Sequence, residues 1–135
     1  MIEGYNEVVS MVIFGHPPRK SNARILTTNT GSPRIIKSRK ALAYVDDFIV
    51  QAKSFYTGYP LGSLEQSLRA DFVIYYPSRR SDLSVELILD CLEKAEVIKN
   101  DRYIQEMRLW GFIDKKDPRT HIKIYTIQGD RTPPF

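Results

Sequence analysis

Two acids nineteen positions apart, Asp82 and Asp101, each stand beside arginine in the segment YPSRRSDLSVELILDCLEKAEVIKNDRY, residues 76–103. Arg79 and Arg80 precede the first acid, and Arg102 follows the second. Two carboxylates held together repel each other and stay ionised when a cation joins them. An all-oxygen donor set favours Mg²⁺ or Mn²⁺ over zinc, which draws His or Cys. The chain holds only His16 and His121, far apart in sequence, and the single cysteine Cys91. Mg²⁺ takes one or two carboxylates together with waters and phosphate oxygens, and arginines grip the same phosphates. The chemistry that fits is phosphodiester hydrolysis, in which a metal activates water and stabilises the leaving oxygen. A plainer reading uses the same residues. Asp82 and Ser84 suit the start of a helix, and Asp101–Arg102 suits a turn with an exposed ion pair. Spacing alone leaves both open.

The elements around this segment decide whether the two acids can meet. Residues 67–78 alternate Leu68, Ala70, Phe72 and Ile74 on one face and predict a strand, with Phe72, Tyr75 and Tyr76 as strand or core residues. A helix is expected from Ser84 to Ala95, with Leu87, Ile88, Cys91, Leu92 and Ala95 as its buried stripe and Glu86, Asp90 and Glu93 off it. About twelve helical residues span roughly 18 Å. The six residues from Glu96 to Asp101, if extended, cover roughly 20 Å. Doubling back would set Asp101 beside Asp82 and Ser84, at the carboxyl end of the strand, where open sheets place ligands.

Elsewhere, residues 7–14 predict a strand and 15–22, with two prolines, a loop. Residues 23–29 and 34–38 predict short strands about a turn, and 38–56 a helix capped by Ser38. Two further strands, 104–113 and 121–127, precede a loose tail at 128–135. Trp110 is assigned to the core or to a dimer interface. The expected architecture is α+β: a single domain over residues 1–135, with one mixed sheet and two main helices packed on it.

At 135 residues the chain suits one domain with a proper core, and 42% hydrophobic with 27% charged residues is ordinary for a globular protein. No apolar run reaches membrane-spanning length and no signal peptide is visible, so a cytoplasmic protein without a membrane partner is expected. One cysteine excludes a disulfide framework within the chain. The net charge of +4 is unevenly laid out, because residues 16–40 contain seven Lys and Arg and no acid. Arg19, Lys20, Asn22 and Arg24 sit in or beside the proline-bounded loop, and Lys37 lies in the same basic stretch. The expectation is a basic arm on a nucleic-acid backbone, giving affinity rather than sequence choice.

The segment YYPSRRSDLSVELILDCLEKAEVIKNDRYI resembles the RusA family of Holliday junction resolvases. The carriers are Arg79–Arg80, Asp82–Leu83–Ser84, Leu89–Asp90–Cys91–Leu92 and Asn100–Asp101, with GHPPRKSNAR and PRIIKSRKALAYVDDF in the amino-terminal part. Their order and spacing run over residues 12–127. The resemblance implies a homodimeric, Mg²⁺-dependent endonuclease (Mn²⁺ a possible substitute) that nicks a four-way DNA junction symmetrically. Asp82 and Asp101 would hold the metal, and Asp90 matches a family aspartate on the helix. Arg79, Arg80, Arg102, Lys37 and the amino-terminal loop would hold DNA. Ser84 stands where the family has its second aspartate, so it would bind through water, or Glu86 would replace the missing charge. The alternative is a branched-DNA-binding module that cuts weakly or not at all because of Ser84.

Overall fold

A computed structural model describes residues 3–18, 24–27, 34–79 and 83–135, with 24–27 and 34–37 in backbone only. Its strands are β1 (Tyr5–Phe14), β2 (Arg24–Thr27), β3 (Arg34–Lys37), β4 (Leu68–Tyr76), β5 (Ile104–Ile113) and β6 (Arg119–Ile127). The helices are α1 (Arg39–Ala52) and α2 (Glu86–Lys94), with a short 3₁₀ turn at Asp101–Tyr103. The α+β class is as expected, but the strands form two sheets rather than one. β2 and β3 pair as a separate antiparallel hairpin, and the main sheet has the order β1-β6-β4-β5. β6 runs antiparallel to both β1 and β4, while β4 and β5 are parallel. No described helix is long and apolar enough to cross a membrane.

The period-two pattern of β4 puts Leu68, Ala70, Phe72, Ile74 and Tyr76 in the core. Met11, Ile13, Ile122 and Ile124 extend the same buried surface across the sheet. Tyr44, Val45 and Phe48 of α1 cover it, with Ile88, Cys91 and Leu92 of α2. Ser38 caps α1 as its type suggests, its Oγ accepting from the Ala41 amide at 3.2 Å. α2 departs from expectation. It starts at Glu86, Val85 holds the cap position, and no side chain caps it. Ser84 therefore precedes the helix and does not cap it.

The opposite face of the sheet lacks a helical cover among the described residues. Arg69, Asp71, Val73 and Tyr75 of β4 alternate onto it, beside Glu106, Arg108, Trp110 and Phe112 of β5. Trp110 is 40% exposed there, so its assignment to the core is corrected. The reason is positional: its register partner is Val73, on the open side, and β5 is the outermost strand.

Two left-handed residues steer the chain from α2 into β5. Glu96, with φ of 60°, follows the last helical turn, and the Val97 amide then donates to the Leu92 carbonyl at 2.9 Å. Residues 97–99 pair with Leu61, which receives the Lys99 amide and donates to the Val97 carbonyl, both at 2.9 Å. Next to Leu61, Gly62 has φ of 97°, and a Cβ on it would lie 2.9 Å from Tyr103 Cβ and 3.0 Å from Leu68 Cδ1. That close approach lets buried Tyr103 seat the 3₁₀ turn at the foot of β4. Opposite stability changes are expected at these two positions. Gly62→Ala lowers the urea midpoint, by about 1–3 kcal/mol of stability. Glu96→Gly raises it, by about 1 kcal/mol. Changes of the same sign would refute the backbone account.

Candidate functional site

Asp82 and Arg80 lie outside the described residues, as do Arg19, Lys20 and Asn22. Arg24 and Lys37 are cross-strand partners at one end of the β2–β3 ladder. Arg79 is exposed just past β4, where it lines an open hollow of about 570 Å³ with Tyr76, Ser78, Leu83, Gly111, Phe112 and Ile113. Leu83 comes closest to Gly111, where an added Cβ would stand 3.1 Å from Leu83 Cδ1. This hollow sits at the carboxyl ends of β4 and β5, and Ser84, half-buried, follows it.

Glu86, Asp90 and Glu93 occupy α2 at spacings of four and three, so they share one helix face. The row ends at Asp101. The Asp101 amide donates to Glu93 Oε1 at 2.6 Å. Asn100 Oδ1 accepts from the Arg102 amide at 2.9 Å and so caps the 3₁₀ turn. Arg102 lies over the Tyr103 ring at 5.0 Å and donates to its hydroxyl at 2.9 Å.

The expected position of Asp101 is corrected by this geometry. It stands at the amino end of β5, which is level with the amino end of β4 through the Leu68–Ile104 register pair. The parallel pairing requires the helix to carry the chain back along the whole strand before β5 begins. Asp101 is thus anchored at the last turn of α2, about two and a half turns beyond Ser84. Glu93 is the partner that sequence reasoning missed. It was visible only as an acid on the polar face, eight residues before Asp101.

Glu93 and Asp101 each carry hard oxygen donors of the kind that suits Mg²⁺ completed by waters and phosphate oxygens, and the contact between them runs through the Asp101 backbone amide. Among the described residues no three His, Cys, Asp or Glu side chains converge to hold a metal ion. A scan of family models finds no match to this chain, and a search of curated proteins finds none either.

A second polar cluster joins β6 to the turn before it. Arg119 donates to Asp114 Oδ2 at 2.9 Å and from Nε to His121 Nε2 at 3.0 Å, and lies 4.0 Å over the Tyr75 ring. The Arg119 guanidinium holds the Asp114 carboxyl below its usual range. Burial, and then the nearby Arg119 charge, push His121 down. Protonation would also remove the lone pair that accepts from Arg119.

Two outcomes follow. Glu93→Ala should speed exchange of the Asp101 amide hydrogen by roughly fivefold, whereas Glu93→Gln keeps an acceptor and most of the protection. An unchanged rate in Glu93→Ala would remove Glu93 as the anchor. For His121, the folded-state pKa lies below the unfolded one, so its contribution to stability is full above about pH 6.5 and declines as pH falls below that. Denaturant midpoints measured from pH 8 to 5 should fall in the wild type and fall less in His121→Gln.

Proposed function

We propose that this chain is a metal-dependent endonuclease of branched DNA that nicks four-way junctions symmetrically as a pair of subunits. One observation carries the reading: the acid row of α2 ends at Glu93, whose carboxylate takes the Asp101 amide at 2.6 Å, with Arg102 next in the chain. Glu93 and the turn that carries Asp101 and Arg102 thereby share one end of α2, with carboxylates of the type that suits Mg²⁺ and a cation of the type that suits phosphate. The order of Arg79–Arg80, Asp82–Leu83–Ser84, Leu89–Asp90–Cys91–Leu92 and Asn100–Asp101 supports the same reading through its resemblance to the RusA resolvases. A bound Mg²⁺ or Mn²⁺ would supply the activated water and stabilise the leaving oxygen. Asp101 would hold it at the end of α2, and the resemblance gives Asp82 the same role. Arg79, Arg80 and Arg102 would orient phosphates, and the basic residues 19–40 would grip the backbone.

A second reading, a junction-binding module without cleavage, has its own observation. Asp101 is anchored at the last turn of α2, away from Ser84, and Ser84 offers a neutral hydroxyl where the resembled family has a carboxylate. The deciding experiment is an end-labelled synthetic four-way junction incubated with Mg²⁺, Mn²⁺ or EDTA. Paired symmetric nicks that vanish in EDTA are expected. Asp82→Asn and Asp101→Asn should each lower cutting at least about 100-fold while junction retardation on a gel persists. Full activity in both variants removes the site. Tight binding with no cut under either metal establishes the binding module, and preference for structured RNA over the junction overturns both.

A further inference from the structure

We infer that the hollow between β5 and the tail after β6 is a binding site for a small organic phosphate monoester. The hollow has a volume of about 560 Å³. The sheet contributes Tyr5, Arg69, Glu106 and Arg108 to its lining, and the tail contributes Arg131 and the residues that follow it. Topology puts the tail there. β6 ends level with the amino ends of β4 and β5, through the Leu68–Thr126 and Leu68–Ile104 pairs. The Gln128 amide then donates to the Gly4 carbonyl at 2.8 Å, and Gly129 takes a φ of 73°, which L side chains rarely adopt. Two residues later the chain is at β5, where Arg131 Nε lies 3.7 Å from Glu106 Oε2.

The charges around the hollow are unequal. Among the described residues three guanidiniums line it against one carboxylate. Buried Arg69 takes up both oxygens of Asp71, at 3.0 Å each. Asp71 is also the register partner of Arg108, so Arg108 stands across from a carboxylate already engaged. No hydrogen bond or ion pair holds Arg108 among the described residues. Glu106 is likewise shared, between the Tyr5 hydroxyl and Arg131. A concave surface with surplus charge of one sign concentrates ions of the other sign, and here the ion is an anion.

Phosphate is the anion that suits two separated arginine forks. Arg108 comes from the strand and Arg131 from the tail, so they approach from different walls. A carboxylate offers one planar edge, whereas a phosphate monoester carries three acceptor oxygens and about −1.5 to −2 charge at pH 7. The hollow is also larger than the anion alone. Met107, Pro133 and Pro134 supply apolar surface for a carbon skeleton. Gln105 commits its Nε2 to the Arg102 carbonyl at 2.6 Å, which leaves Oε1 to accept from a ligand hydroxyl.

The inference goes beyond the proposed cleavage and uses none of the residues assigned to the metal. Its test is an amide NMR titration in EDTA with inorganic phosphate, phenyl phosphate and phenyl sulfate. Phenyl phosphate should shift the signals of residues 105–108 and 131–132. It should bind more tightly than inorganic phosphate and about tenfold more tightly than the singly charged sulfate. Arg108→Ala and Arg131→Ala should each weaken it about tenfold. Glu106→Gln removes the carboxylate of the lining but keeps an acceptor for Tyr5, and should tighten binding. Lys116→Ala, at an exposed cation away from the hollow, should leave the affinity unchanged. No shifts in the wild type, equal losses in Lys116→Ala and Arg108→Ala, or weaker binding in Glu106→Gln would overturn the inference. A 5′-phosphorylated oligonucleotide that shifts the same signals at far lower concentration than phenyl phosphate overturns the small-molecule assignment. Absent phosphate binding with junction cutting intact removes this inference alone, and the reverse result removes the nuclease reading alone.

Discussion

Parallel pairing of β4 with β5 governs where every polar group of interest can be. A parallel pair needs a crossover, and here α2 is that crossover. The helix stays on the sheet because Ile88, Cys91 and Leu92 are fully buried against the face that carries Phe72 and Ile74. Its polar side is thereby turned outward, and Glu86, Asp90 and Glu93 are ordered in a row by the same periodicity that buries the other side. The crossover also fixes that whatever follows β4 lies at one end of the sheet and whatever precedes β5 lies at the other. Arg79 and Ser84 belong to the first end; Asn100, Asp101 and Arg102 belong to the second.

The open face of the sheet is organised by one buried cation. Arg69 is only 4% exposed, and a cation removed from water must be paired to be tolerated. Its Nε and one terminal nitrogen donate to the two oxygens of Asp71, both at 3.0 Å. The rings of Tyr5 and Tyr125 lie 4.7 and 5.4 Å from the guanidinium carbon, and the Asp71 bond holds its charge in place. Tyr5 also donates to Glu106 on β5, so a residue of the first strand is tied to the far edge of the sheet over the top of Arg69. The amino end of the open face is closed by this arrangement. Its carboxyl end, with Trp110 and Phe112, is left exposed.

Local periodicity was readable from sequence because it reports burial directly. The alternation of Leu68, Ala70, Phe72 and Ile74 and the helix that follows Ser38 each appear in the structure. Ser38 was legible as a cap because its hydroxyl type and its place before a helical pattern coincide. Direction was not legible. Nothing in residues 96–101 says whether the next strand runs with β4 or against it, and the doubling-back argument gave Asp101 to the wrong end. The exposure of Trp110 was hidden for a related reason: an apolar strand reads alike whether it is central or outermost, and β6 takes the central place only because the last strand inserts between β1 and β4. Glu93 escaped notice because an acid on a polar helix face carries no signal until its partner is known.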